Sequence, residues 1–352
     1  MKSIPQVLTK DRLSHILSKF QGLKTGVIGD IGLDAYWYVD MTRSHLSRET
    51  PHFPRPVIRE NYSPGAGGNV AQNLTALGVG EVTIFSVFGE DIWGILLQGE
   101  LEKSAINTNA ILTCKERRTT AYIKPILMGY NSQQEDARLD FENPEPLSVT
   151  LEDQLLATLE NQISRLDALL VADQLEINGI ITPRIRQRLV ELAVDHPEIC
   201  FLVDSRQCIG LYHKMVMKPN WVEAVTAAAP DRDPRTVKWT EMEKIGKRLA
   251  QQSGRPVFIT LSEEGVLVCT ENKQEQISAA PVYPPLDVVG AGDAFIAALA
   301  ASLPAGATPR EAGAIANLAA GITVEKLNQT GTATPEEILA RYDLTATQET
   351  GI

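Results

Sequence analysis

Long apolar runs are missing from this chain of 352 residues. Nowhere do about 18 apolar residues follow one another, so no segment reads as a membrane-spanning helix. Blocks of basic charge are missing too: no run of five Lys or Arg occurs, and the net charge is -11. That balance argues against a nucleic acid or an anionic membrane as partner. Cysteine is sparse. The four thiols (Cys114, Cys200, Cys208, Cys269) are scattered with no C-x-x-C pair, which favours free thiols in a reducing compartment over a zinc or disulfide framework. The opening "MKSIPQVLTKDRLSHILSKFQGLK" lacks the apolar core and cleavage pattern of a signal peptide; Leu13, Ile16, Leu17 and Phe20 fall instead at helical spacing. A cytoplasmic protein is expected. A G-x-G-x-x-G turn after the first strand is also absent, since "GDIGLD" stands there, and this excludes a dinucleotide-binding dehydrogenase.

What is present is ordinary for a globular chain: 43% hydrophobic and 22% charged residues. A chain of this length can bury roughly three-quarters of its unfolded surface without staples. Apolar runs of strand length, "TGVIGD", "EVTIFSVFG", "DALLVAD", "ICFLVDS" and "PVFITL", alternate with helical patterns such as "NVAQNLTALG", "TPRIRQRLVELAV" and "TEMEKIGKRLAQQSG". Two helices, "AGDAFIAALAASL" and "PREAGAIANLAAGITVEKL", are expected to close the chain. The alternation implies right-handed βαβ units and an α/β fold, a mostly parallel central sheet with helices on both faces. No linker composition interrupts it, so one domain is expected over 1–345, followed by a short tail, 346–352.

Two stretches break this rhythm. Residues 35–62 are aromatic, Arg-rich and punctuated by proline, and residues 117–142 alternate polar and apolar side chains. They suit a small antiparallel flap with one exposed face better than long surface loops, which are uncommon in compact domains.

The stretch "DVVGAGDAF" carries the chemistry. Gly290 and Gly292 permit a tight turn and a close backbone approach, and the apolar run behind them is helical. "GAGD" therefore lies at a helix N-terminus, where free N–H groups and the dipole attract an anion. An acid there, Asp293, is placed to take a proton from a hydroxyl while the amides hold negative charge. Taken alone, the same residues also describe a capping acid after a glycine turn.

The stretch does not stand alone. "DVVGAGD" resembles the D-T-x-G-A-G-D motif of the PfkB/ribokinase-like sugar kinases, and four further motifs follow that family's order: "GDIGLD", "SPGAGGNVAQNLTALG", "KPNWVEA" and "ITLSEEGVLV". The resemblance spans about residues 22–341. Within the family the chain is similar to the heptose 7-phosphate kinases, through "GDIGLDAYWY", "RSHLSRETPHFP", "QEDARLDFE" and "IANLAAGITVEKL" with "GTAT" behind it. The resemblance implies a ribokinase-like fold and ATP-dependent phosphorylation of a sugar hydroxyl. Asp293 would be the general base, with the amides of Gly290, Ala291 and Gly292 as its anion hole. Asp34, Gly65, Gly67, Gly68 and Asn69 would hold the sugar, with Arg138 in the flap. Asn220, Glu223, Thr260, Gly265 and Arg206 would border the nucleotide. Mg²⁺ would be held through water at Glu223, and a monovalent cation such as K⁺ at Asp287, as in some relatives. Without the family, Asn220 and Glu223 read as a helix cap and a first-turn acid.

A phosphorylated substrate needs cations in an acidic protein; Arg43, Arg48, Arg55, Arg117, Arg118, Arg138 and Arg206 are the candidates, against surface or dimer-contact roles for those in the flap. The resemblance also implies a homodimer formed through the flap. Some positions depart from the pattern. Val289 stands where relatives carry Thr, the turn reads "GAGGN", and "VADQLEING" keeps Asp173 but lacks a lysine found in the heptose kinases. No fused nucleotidyltransferase is expected. A nucleoside or vitamin kinase, or a non-catalytic sugar-binding protein of the same fold, are the alternatives.

Overall fold

The computed structural model describes residues 1–327 and 331–350. Fourteen strands occur among them. The first eight are β1 (Lys24–Gly29), β2 (Ile31–Asp40), β3 (Val57–Ala66), β4 (Glu81–Gly89), β5 (Ile111–Cys114), β6 (Ala121–Met128), β7 (Gln133–Glu135) and β8 (Leu139–Phe141). The others are β9 (Ala168–Asp173), β10 (Cys200–Ser205), β11 (Val216–Met217), β12 (Val257–Thr260), β13 (Val266–Cys269) and β14 (Gln274–Ile277). Nine form one sheet in the order β14-β13-β12-β11-β10-β9-β1-β4-β5, parallel except at the β12-β13-β14 edge.

Strand periodicity sorts the core onto the two faces of this sheet. Val27, Leu170, Leu202 and Phe258 face one layer of helices, which includes Gly67–Ala76, Ala291–Ser302 and Pro309–Thr323. Their neighbours Ile28, Val171, Val203 and Ile259 face the other layer, formed by Val149–Glu160, Pro183–Asp195, Trp221–Ala228 and Trp239–Ser253. Helix Ala291–Ser302 is apolar all round and buried from Ala294 onward, as a helix enclosed by neighbours must be.

The expected elements appear with corrections. Two helices do not close the chain; a third, Pro335–Thr350, follows and occupies most of the expected tail, while 351 and 352 lie outside the described residues. Its Ile338 and Tyr342 pack into the core, so tertiary burial holds a stretch with weak sequence periodicity. The flap is a mixed sheet rather than an antiparallel one. β2 pairs β3 antiparallel but β6 parallel, and β7 and β8 then pair β6 antiparallel. The reason is topological: β2 and β6 follow β1 and β5, which are parallel in the main sheet and leave it at the same, C-terminal, end of the strands. The flap also begins and ends beyond the expected limits, from Ile31 to Ala66 in its first segment. Gly29 makes the exit possible. Its φ is +132°, and a Cβ there would run into the carbonyl oxygen of Ala172.

Candidate active site

The C-terminal ends of the parallel strands and the underside of the flap enclose a cavity of about 400 Å³. Clefts outside the carboxyl ends of such strands are where α/β sheets bind ligands. Asp293 lies on its floor at the third position of its helix, behind Gly290, whose φ of +83° makes the turn. Asn69 Nδ2 donates to Asp293 Oδ2 at 2.7 Å, and Gln174 Nε2 approaches Oδ1 at 3.4 Å. Burial pushes the Asp293 carboxyl up to about 6; Asp204 adds to the rise, while Asn69, Lys218 and Gln174 oppose it.

The amides divide. Gly290 and Gly292 line the cavity, whereas the Ala291 N–H donates to Val288 O at 3.3 Å within the turn. The cation beside them is Lys218, 5% exposed, paired with Asp204 at 3.2 Å. Burial works against its ammonium, but Asp204 and Glu223 outweigh it and keep the group charged. A Cβ built on Gly292 would sit 3.6 Å from Lys218 Nζ, so side-chain charge and anion hole adjoin.

At the flap end, Asp34 Oδ1 pairs with Lys124 Nζ at 2.9 Å, and Lys124 also donates to the Tyr36 hydroxyl at 3.2 Å. Gly65 must lack a side chain here, because a Cβ would lie 2.9 Å from Asp34 Oδ2. Ala66 lines the cavity with φ +52°, a conformation rare for a non-glycine residue, at the cap of helix Gly67–Ala76. Gly67 and Gly68 do not line the cavity. Their Cβ positions are filled by Ala172, Ile31 and Pro64, so they serve helix–sheet packing. Arg138 lines the cavity, but both arms of its guanidinium are bonded to Asp140 at 2.6 Å.

At the other end, Asn220 caps helix Trp221–Ala228, and Glu223 Oε2 accepts the Asn220 N–H at 2.8 Å in a capping box. Both also line the cleft, so the structural and the functional readings of these residues coexist. Asn220 and Thr260 border a neighbouring hollow of about 520 Å³ with the stacked pair Trp221 and Trp239. Gly265 does not reach it; with φ +89° it turns the chain against the backbone of Ile277 and Ala279. Asp287 accepts the Val289 N–H at 3.1 Å and so shapes the approach to the glycine turn.

Most of the expected phosphate-binding arginines lie elsewhere. Arg43 pairs with Asp40, Arg55 with Asp136, and buried Arg117 donates to Asn178 O at 2.6 Å. Arg48 and Arg118 are exposed and outside the cavity. Arg206 does line it. Trp37 and Tyr38 pack the flap, Tyr38 beneath the Arg59 guanidinium at 3.6 Å. Sequence reasoning missed Lys124, Gln174, Lys218 and Asp204. Their signal was positional, since Gln174 and Lys218 directly follow β9 and β11 and Asp204 is the penultimate residue of β10.

The sequence profile of the pfkB family of carbohydrate kinases matches residues 33–337. The chain belongs to that family. It is a sugar kinase by this membership, a phosphotransferase acting on an alcohol group. Among curated proteins it is similar to the bifunctional protein HldE of Trichlorobacter lovleyi, 33% identical over 343 residues and 96% of this chain. It is also similar to HldE of Nitratiruptor sp., 32% identical over 89% of this chain. It spans 66% and 63% of the lengths of those two relatives. Its fold is that of Escherichia coli phosphofructokinase-2, solved in complex with potassium (TM-score 0.73, 18% identity, 92% of this chain and 99% of the other). Thermotoga maritima ribokinase shares it (TM-score 0.67, 22% identity, 91% and 99%).

One buried acid holds the cleft wall together. Asp30, 1% exposed, accepts backbone N–H groups from Gln174 (2.9 Å), Leu175 (2.8 Å) and Ile180 (2.7 Å), fixing the loop that carries Gln174. Asp30→Ala leaves three donors unpaired, and urea unfolding should show a loss on the order of 3 kcal/mol. A change within 0.5 kcal/mol would contradict this role for Asp30.

Proposed function

We propose that this kinase transfers the γ-phosphate of ATP to a hydroxyl of a sugar that already carries a phosphate, with a heptose 7-phosphate as the favoured acceptor and its anomeric hydroxyl as the nucleophile. The observation that supports the chemistry most is the joining of Asp293, the amide turn and the Lys218 ammonium on one cavity floor. Asp293 takes the proton of the acceptor hydroxyl. The acceptor oxygen bonds to the γ-phosphorus as the bond to the ADP oxygen breaks, while Lys218 and the Gly290 and Gly292 amides hold the transferring charge. Asp34 and Asn69 orient the sugar; an ionised carboxylate accepts two hydroxyl donors and discriminates against analogues that lack them. The likeness to the HldE proteins supports the heptose acceptor.

Asn220, Glu223 and Thr260 serve the nucleotide in this reading. Among the described residues no cluster of His, Cys, Asp and Glu could hold a metal by itself. A single half-buried carboxylate, Glu223, fits a Mg²⁺ held mainly by phosphate oxygens and water. When bound, Mg²⁺ would offset the phosphate charge. Carbonyls near Asp287 remain the proposed place for K⁺, with that residue's side chain committed to the turn.

The test is ATP consumption across free sugars, nucleosides and sugar phosphates, with Asp293→Asn as the control. Turnover should require a sugar acceptor and fall about 10² to 10⁴-fold in the variant. Because the Asp293 carboxyl is raised to about 6 and must be ionised to accept a proton, kcat/KM should rise with pH through that region and level off above it. Near-normal rates in Asp293→Asn, or a profile flat between pH 5 and 7, would contradict the assignment.

The same reading includes a homodimer through the flap. β3 is one edge strand of the flap sheet, and Val57 and Ile58 on it are 41% and 48% exposed. Unpaired strand edges with apolar side chains invite pairing. Light scattering should give twice the chain mass, and Val57→Lys with Ile58→Lys should halve it; a monomeric wild-type mass would refute the dimer.

A further inference from the structure

A second cavity, of about 200 Å³, adjoins the cleft and shares Leu175 and Arg206 with it. One wall is Arg186, whose side chain is only 12% exposed. Its guanidinium is held by an ion pair with Asp173 and lies 5.6 Å from the Tyr212 ring centroid, but its hydrogen bonds are long. Nη2 reaches Asp173 Oδ2 at 3.4 Å and Ile181 O at 3.5 Å, both at the outer limit, and the buried Nε has no hydrogen-bond partner. Asp173 needs little from it, because the same oxygen accepts the Ser205 hydroxyl at 2.7 Å and the Tyr212 hydroxyl at 2.9 Å.

Arg206 is the other guanidinium at this junction. The remaining cations of the main cavity are each neutralised: Lys124 by Asp34, Arg138 by Asp140 and Lys218 by Asp204. Arg206 makes no ion pair among the described residues. Two arginines, Arg186 in the wall with only long contacts and Arg206 between the cavities without an ion pair, match the oxygens of a tetrahedral dianion better than the flap arginines do. Asp173 and Glu176 are the carboxylates that line this cavity and oppose them, Asp173 from the wall and Glu176 from the rim.

We propose that this junction is the seat of the acceptor's own phosphate, so that the sugar lies with its reacting hydroxyl at Asp293 and its phosphorylated end at Arg206 and Arg186. The assignment rests on the sugar-phosphate kinase reading and adds the residues that select the phosphorylated sugar. It also moves Arg206 from the nucleotide to the acceptor.

Kinetics with a phosphorylated sugar and its unphosphorylated parent separate the possibilities. Arg186→Gln should raise KM for the phosphorylated acceptor about 10- to 100-fold, the usual loss for a hydrogen bond to a charged group, with KM for ATP and turnover of the parent sugar within about two-fold. Gln207→Glu, an exposed change on the same cavity that leaves the core untouched, should act in the same direction, and Glu176→Gln in the opposite one. An effect confined to Arg138→Gln, or one that falls on KM for ATP, would overturn the proposal. Calorimetry with inorganic phosphate on the protein saturated with a non-hydrolysable ATP analogue, which fills the anion hole, gives a readout that needs no turnover. Binding should be seen in the wild type and weakened at least ten-fold by Gln207→Glu; unchanged binding in the variant would refute the subsite. If no sugar is phosphorylated at all, the kinase assignment fails, while the phosphate titration still decides the subsite.

Discussion

A buried lysine between a buried and a half-buried carboxylate is the constraint on which this site depends. Asp293 and Asp204 face the same cleft floor, and Asp204 raises the cost of ionising Asp293. Lys218 offsets that rise, paired with Asp204 and adjoining the glycine turn. Such a cluster is costly to desolvate and is kept only where geometry holds every member in place. Its arrangement leaves a carboxylate that ionises near neutral pH next to a positive site for phosphate. That combination is what phosphoryl transfer to a hydroxyl requires.

The fold supplies the rigidity. Asp293, Lys218 and Asp204 come from three elements that meet at the C-terminal ends of the parallel strands: an enclosed apolar helix and the ends of β11 and β10. Opposite them the flap is anchored on the sheet itself, because β2 continues from β1 through Asp30 and β6 follows β5. Asp30 ties that exit to the loop bearing Gln174, so the sugar side and the acid–base side share one set of backbone hydrogen bonds.

Much of this was legible in the sequence, for identifiable reasons. Five-residue apolar runs and helical periodicity disclosed the main sheet, because both of its faces are buried. "GAGD" before an apolar helix disclosed the anion site, because glycine, amide and acid act there through backbone position. The mixed pairing of the flap was hidden, since strand direction depends on where the chain leaves another sheet. Gly67, Gly68 and Gly265 look like ligand-approach glycines in sequence, yet close packing against Ala172, Pro64 and Ile277 explains them. Arg55 and Arg138 were candidates for phosphate because the aspartates that neutralise them, Asp136 and Asp140, carry no mark of pairing in the sequence. Lys218 and Lys124 were overlooked because burial, which makes a lysine consequential, is a tertiary property.

The most direct measurement of the central claim is a carboxyl-carbon NMR titration of Asp293, in the wild type and in Lys218→Met, without nucleotide. The charge arrangement predicts a midpoint near the value of about 6 in the wild type and a higher one when the lysine is removed. A wild-type midpoint at the ordinary aspartate value of about 4, or no shift in the variant, would contradict it.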